Sequence, residues 1–407
     1  MTQGFATVSP ALRRSILLLS FATFASMAAQ RICDAMLPEL SRAFSVSLAE
    51  AARVVSVFAV AYALSQIVWG PLGDRLGKFG VVTFGTLACA GGCVLAAFAA
   101  SLDMLLLARI LTALGAATII PLSMAWIGDE VAYEMRQETL ARVGLGTTLG
   151  IVGGQLFGGL LSDTLGWRWA FGFLALLFGV VGALLATDWR RHPAAARSAE
   201  GASGERPGFV AQALQIVTGP WSRVVLAVAL VEGAAGFGVL ALWAAHLNST
   251  LALSLTASGA IVALFGPGGM LYMAVARQLI RRWGERGLVQ WGGGLFAVST
   301  AVVGLTPAWG PAVPASLLAG FGFFMFHNTM QAHVTQMAPD ARGTGVSLFA
   351  SALFLGQSVG VVLAAESINR IGSSAVIVLA AALFFGLALF FAGALGRRQR
   401  DKTEVAG

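Results

Sequence analysis

Long apolar runs separated by short charged turns organise this chain of 407 residues. A helix needs about 20 residues to cross the hydrocarbon of a bilayer. Twelve runs reach that length: 15–37, 51–72, 79–100, 104–127, 142–162, 168–187, 223–247, 256–279, 287–306, 312–335, 344–365 and 373–395. They are continuously apolar, whereas barrel strands alternate over about ten residues. The pattern predicts an all-α membrane protein with twelve transmembrane helices.

Composition agrees with that reading. The chain is 57% hydrophobic and 11% charged, too little polar surface to cover a water-soluble globule. Its 50 glycines suit helices that approach closely in lipid. The net charge of +7 does not point to nucleic acid, because the basic residues sit in turns between apolar runs and not on one polar face. Cys33, Cys89 and Cys93 lie in apolar runs and read as small packing residues. Cys89 and Cys93 have no His or carboxylate nearby to complete a metal site, so no metal is expected. The run after Arg13-Arg14 continues to Leu37, too long for the core of a cleavable signal, and reads as a first span.

Lysine and arginine placement sets the orientation. With the N-terminus in the cytoplasm, twenty of the 26 basic residues fall on the cytoplasmic side, four on the outer side, and Arg31 and Arg109 within spans. Both termini are therefore expected inside, in a multi-pass protein of the cell inner membrane. Residues 188–222, rich in Ala, Arg, Ser, Gly and Glu, read as a cytoplasmic linker. It separates a six-helix half at 1–187 from a second at 223–396, and 397–407 forms a basic cytoplasmic tail.

Two echoes suggest that the halves are repeats. The turn after run two reads Gly70-Pro-Leu-Gly-Asp74-Arg75-Leu-Gly77-Lys78. It returns 207 residues later as Arg277-Gln-Leu279-Ile-Arg281-Arg282-Trp-Gly284, with Arg281 where Asp74 stood. Run five carries Gly154-Gln155-Leu-Phe-Gly158 and run eleven Gly356-Gln357-Ser-Val-Gly360. Tandem six-helix repeats are a known transporter plan.

The loop Gly70-x-Leu-x-Asp74-Arg75-x-Gly77-Lys78 resembles the signature loop of the major facilitator superfamily. Arg109-Ile-Leu-Thr-Ala-Leu-Gly-Ala-Ala in run four is similar to its second motif, with Thr112 and Ala113 in place of Gln and Gly. The resemblance covers nearly the whole chain and implies the major facilitator fold, two pseudo-symmetric six-helix halves. It also implies that Asp74 and Arg75 belong to a gate loop that favours the outward-facing state. Glycines 146, 150, 154 and 158 make a ladder along one face of run five, suited to close helix packing. Gly150-x-x-x-Gly154-Gln155-x-x-Gly158-Gly159 resembles the motif of proton-coupled drug antiporters, with Gln155 where that motif has Pro. The stretch Gly322 to Gln331, followed by Pro339-Asp-Ala-Arg342-Gly343, is similar to the efflux branch that includes sugar-efflux-type transporters.

Charges within spans each cost about 2.5–3.5 kcal/mol on insertion scales, so each needs a reason. Arg31 and Asp34 are three apart on run one. Asp34 lies about 6 Å below the outer end, and Arg109 about 9 Å down run four. The similar depths suggest an Asp34–Arg109 pair with Arg31 competing for the carboxylate. Such a site could exchange a proton, since a nearby cation favours the carboxylate and burial the neutral acid; it could equally be a permanent salt bridge. Glu232, about 14 Å into run seven, has no cation near it in sequence and reads as a coupling carboxylate or as a protonated acid bonded to a helix carbonyl. His327 and Gln331, four apart with Asn328 beside them, could hydrogen-bond substrate or another helix. Phe21, Phe24 and Trp126 could line an amphipathic site or simply face neighbours. His246 and His333, near span ends, read as interfacial.

No enzyme signature is present. Gly73 to Lys78 has three residues between its glycines and not the four of a phosphate loop, and Phe79 replaces Ser/Thr. The expected function is proton-coupled efflux of small amphipathic molecules by alternating access. The alternative is proton-coupled uptake or efflux of a sugar or organic acid. The expected partners are a small-molecule substrate, protons and the lipid bilayer, with the chain working as a monomer and without cofactor.

Overall fold

The computed structural model describes residues 9–191, 209–338 and 341–406. Residues 192–208 of the expected linker, and Pro339-Asp340, lie outside the described residues. Among the described residues fourteen α-helices follow one another: α1 Pro10–Phe44, α2 Leu48–Leu76, α3 Lys78–Ala97, α4 Leu102–Glu130, α5 Tyr133–Thr164, α6 Trp167–Arg191, α7 Phe209–Thr218, α8 Pro220–Glu232, α9 Val239–Leu251, α10 Leu255–Ala263, α11 Phe265–Leu305, α12 Trp309–Met337, α13 Arg342–Ile371 and α14 Ser373–Ala406. A π-helical segment, Gly233–Gly238, joins α8 to α9. There is no strand among the described residues. The short α7 lies within the expected linker, and α14 runs through most of the expected tail.

Among the described residues, eleven helical segments are long and apolar enough to cross a membrane. One of them, Leu255–Leu305, has 51 residues. Straight, it would span about 77 Å at 1.5 Å per residue, more than twice a hydrocarbon core of about 30 Å. It is two crossings: Gly284 has φ 62° and ψ 180° and breaks α11. Gly268 before the break packs on Leu317 and Phe321 of α12, and Gly292 after it packs on Gly322 and Met325 of the same helix. The chain has therefore turned back on itself, giving twelve crossings among the described residues. An even number leaves both described ends on one side of the bundle, here the terminal side; the other is the distal side.

The duplication is written in the backbone. Among the described residues, the positive-φ positions form three pairs: Ser45 (55°) with Ala252 (52°), Gly77 (88°) with Gly284 (62°), and Gly166 (95°) with Gly372 (82°). Ser45 and Ala252 close α1 and α9 in the left-handed conformation that ends many helices. Each turn is held by the same bond: Ser41 Oγ donates to Val46 O at 2.6 Å, and Asn248 Nδ2 to Leu253 O at 2.6 Å. Between α3 and α4, a β-carbon on Gly115 would stand 2.6 Å from Gly85 O; in the second half, one on Gly322 would stand 2.6 Å from Gly292 O.

These pairs fix the register of the repeat, and it differs by one helical turn from the Gly154-Gln155 and Gly356-Gln357 echo. The glycine ladder of α5 packs on α1, Gly150 on Phe24 O and Gly154 on Ala28 O. In the second half Gly356 packs on Leu230 O and Gly360 on Ala234 O. Both contacts are related by 206 residues, as are Gly166 and Gly372, so Gly150 answers to Gly356 and Gly154 to Gly360. The turns at Ser41 and Asn248 are related by 207. The second half thus carries one residue more between Ala234 and Asn248 than the first does between Ala28 and Ser41. The π-helical segment overlaps the start of that interval, and a π turn is how a helix absorbs an added residue.

Candidate functional site

The halves touch from the middle of the bundle to its distal side. Ser351 Oγ donates to Ala63 O at 2.8 Å, Ser56 and Ser358 share a hydroxyl bond of 2.7 Å, and Gln30 Nε2 donates to Gln357 Oε1 at 3.3 Å. At the distal rim Asp163, at the end of α5, bonds the start of α10. On the terminal side a cavity of about 460 Å³ opens between α1 and α5, along Arg13 to Phe24 of the one and Arg142 to Leu149 of the other. Ile16, Leu17, Phe21, Phe24, Leu145 and Leu149 make its walls apolar, and Arg13 and Arg142 stand on it nearest the helix starts. Of the aromatics read as possible lining of an amphipathic site, Phe21 and Phe24 border this cavity. Trp126 does not: it packs against Phe79 with ring centres 5.1 Å apart, over a separate cavity of about 270 Å³.

Beyond Phe24 along α1, the buried ionisable groups form a cluster. Arg31 Nη1 meets Asp34 Oδ2 at 3.3 Å, one turn apart on the same helix. Gln155 Nε2 donates to that same Oδ2 at 2.9 Å. Gly154 lets this happen: its missing side chain brings α5 against Ala28 O and the Arg31 β-carbon, so the next residue reaches α1. Asp34 Oδ1, Gln155 Oε1 and Arg31 Nε are buried with no protein hydrogen-bond partner. Gln155, expected among the packing residues, is therefore part of the polar site.

Arg109 does not make the expected pair with Asp34. Its Nη1 donates to Ala29 O at 2.7 Å and its Nε to Val54 O at 3.1 Å, with the guanidinium 4.1 Å over the Phe58 ring. Arg109 fastens α4 to α1 and α2 through helix carbonyls. The carboxylate goes to Arg31 because a neighbour one turn away reaches it without crossing between helices.

The second half holds a buried carboxylate of its own. Glu232 is not alone: His327 Nδ1 lies 2.7 Å from its Oε1. The two residues are 95 apart in sequence, so nothing local in the sequence announces the pair. Phe237, Phe323, Phe324 and Phe349 surround the His327 ring, Phe323 stacked on it at 5.5 Å. Glu232 Oε2 has no protein partner. Of the other expected binding residues, Asn328 is half-buried and Gln331 exposed. His246 bonds Ser373 and Val303 O, and His333 meets Glu285 at 3.2 Å, both inside the second half.

One contact joins the two clusters across the halves. The Arg31 guanidinium lies 4.4 Å from the centre of the Phe237 ring. Phe237 sits in the π-helical segment and packs on Phe323 at 4.6 Å. Charge on α1 is thereby laid against an aromatic face that also borders His327.

The gate loop occupies the terminal side. Gly77 supplies the positive φ of the α2–α3 turn. Lys78 Nζ bridges Asp129 Oδ2 of α4 at 2.6 Å and Asp74 Oδ1 at 3.1 Å. Asp74 and Arg75 are exposed, and Asp74 is engaged within its own half.

Comparison with known proteins agrees with this architecture. A family model described as Major Facilitator Superfamily matches residues 19–361. The uncharacterized MFS-type transporter YwfA of Bacillus subtilis is 23% identical over 301 residues, 74% of this chain and 70% of its own. The multidrug export protein EmrB of Escherichia coli is 28% identical over 167 residues, 41% of this chain and 32% of its own. Among solved structures, a bacterial homolog of the human lysosomal transporter Spinster, inward-facing and unoccupied, superposes with TM-score 0.68 at 18% identity, covering 95% of this chain and 96% of that one. The human organic anion transporter MFSD10 gives TM-score 0.69 at 17% identity, with 94% and 99% covered. Likeness at such identity concerns the fold.

Proposed function

The chain belongs to the major facilitator superfamily, and from that footing we propose that it is a proton-coupled exporter of small amphipathic molecules, working by alternating access in a bacterial inner membrane. The observation that carries this reading is that the apolar cavity and the Asp34–Arg31–Gln155 cluster are built on the same two helices, α1 and α5. A proton gained or lost at Asp34 changes its hold on Arg31 and Gln155, and so bears on the helix pair that forms the cavity wall. A buried carboxylate with one oxygen unpartnered suits proton exchange better than a fully satisfied structural bridge.

The excess of basic residues in the terminal-side loops supports cytoplasmic ends. The terminal-side cavity then opens inward while the distal side is closed, an inward-facing state. Export is favoured by the glycine ladder and by the likeness to a protein named as a multidrug exporter. Gate residues Asp74, Arg75 and Lys78 belong to the terminal side, which must close in the outward-facing state. Glu232 and His327 form a second coupling candidate in the other half.

A second reading, transport of an organic acid, draws on Arg13 and Arg142, two basic residues on the cavity wall. Inverted vesicles carrying a pH gradient and a pH-sensitive dye separate the two. Dequenching on adding lipophilic drugs, and none with sugars or organic acids, is the expected result. Response to organic acids alone would establish the second reading.

A further inference from the structure

Helix starts leave backbone N–H groups unpaired and favour a carboxylate beside them. The equivalent starts of α2 and α10, related by 207 residues, meet that need differently. Ser47 and Glu50 form a capping box on α2: the Ser47 side chain accepts from Glu50 N at 3.2 Å, and Glu50 Oε2 accepts from Ser47 N at 2.9 Å. In α10 the serine survives, Ser254 Oγ accepting from Ala257 N at 3.1 Å. The acid does not, because Ala257 stands at the place of Glu50.

The carboxylate at this helix start comes from the other half, and it caps the two amides after Ser254, not the amide of Ser254 that a capping-box acid would hold. Asp163 Oδ2 accepts from Thr256 N at 2.6 Å and from the Thr256 hydroxyl at 2.6 Å, while Oδ1 accepts from Leu255 N at 3.3 Å. Gly159, one turn earlier on α5, packs on Leu255 O and lets the two helices meet. The reverse arrangement does not occur: the residue answering to Asp163 in α13 is Asn369, which bears no charge, and α2 has its own acid. Each of the two helix starts has one carboxylate, native to α2 and borrowed by α10.

We propose that Asp163 is the distal gate-positioning residue of the transport cycle: by completing the cap of α10 across the two halves it holds the distal side closed, and opening requires giving that cap up. The carboxylate is exposed, so water can take over its bonds when the halves part, which keeps the latch reversible. The proposal rests on the alternating-access reading above but not on proton coupling.

The test uses the full chain with spin labels on cysteines placed at Ala100 and Ala308, exposed positions in the distal loops of the two halves. The three native cysteines are buried. Distance distributions by pulsed electron resonance report closed and open distal sides. Asp163→Ala should raise the open-to-closed ratio about fivefold, the usual cost of a lost cap. Ala257→Glu should also raise it, because a second carboxylate at the start of α10 repels Asp163 and answers part of the positive end that holds it; a merely stabilising role would leave the distribution unmoved. Asp163→Glu should recover part of the closed population. Unchanged distributions in Asp163→Ala and Ala257→Glu, with both proteins folded by circular dichroism, would overturn the latch. A wild type showing one distance under every pH and ligand condition would instead count against alternating access itself.

Discussion

Gln155 Nε2 donates to Asp34 Oδ2 at 2.9 Å, a bond between α5 and α1 made where Gly154 brings the two helices together. The antiporter motif this stretch resembles has Pro at that place, and Pro has no side-chain donor. A hydrogen bond to a charged group is worth about 1.5–3 kcal/mol. Gln155→Leu should therefore slow transport about tenfold or more, while Gln155→Asn, shorter by one carbon, should keep part of it. Initial rates at matched protein amounts check this.

The Arg31–Phe237 contact predicts a dependence on ring character. A desolvated cation–π pair is worth about 2 kcal/mol. Phe237→Leu, which keeps bulk and loses the aromatic face, should cut transport several-fold. Phe237→Trp should preserve it if the larger ring is accommodated, and Phe237→Tyr provides the closer substitution. Equal loss in Leu and Tyr variants would show that only packing matters.

Glu232 and His327 should behave as a unit. Removing one partner from a buried pair costs about 3–5 kcal/mol, so His327→Ala should lower the unfolding midpoint clearly in detergent. A double-mutant cycle with Glu232→Gln should show a coupling energy of about 1–3 kcal/mol. Glu232→Gln should also remove any pH dependence of substrate binding that this half contributes. Binding measured across pH in that variant, unchanged from wild type, would restrict the pair to a structural role.

At Gly154 a β-carbon would stand 2.7 Å from Ala28 O. Gly154→Val should force α1 and α5 apart and abolish transport, with Gly154→Ala intermediate. Gly144, with open space at its β position, is the control: Gly144→Ala should be nearly silent in the same flux assay.

The two gate loops should not be equivalent. Asp74 is tied to Lys78, which also holds Asp129, whereas Arg281 occupies its place in the second loop. Asp74→Asn should impair transport strongly and Arg281→Gln mildly. Equal effects would mean that the lost acid is without consequence.

The twelve crossings were legible because a membrane demands about 20 apolar residues per helix, whatever the neighbours. The registers were less so. A glycine ladder repeats every four residues, so aligning Gly154-Gln155 on Gly356-Gln357 matches glycines as well as the true register one turn away. The π-helical segment was hidden because a single added residue leaves hydropathy unchanged. Asp34, Arg31, Glu232 and His327 stand out as costly polar groups in apolar runs, and the three-residue spacing offers Arg31 to Asp34, but nothing local offers Gln155 to Asp34 or His327 to Glu232. Depth along a helix says nothing of azimuth, which is why Arg109 was expected at Asp34 and is found on the carbonyls of Ala29 and Val54. Asp163 lies in an ordinary polar turn, and only the comparison of Glu50 with Ala257 could have drawn attention to it.

Proton-coupled export through Asp34 is tested most directly by dye dequenching in inverted vesicles, wild type beside Asp34→Asn at equal abundance. The account predicts substrate-induced dequenching in the wild type and none in Asp34→Asn, with substrate binding retained. Full proton-driven transport by Asp34→Asn would contradict it.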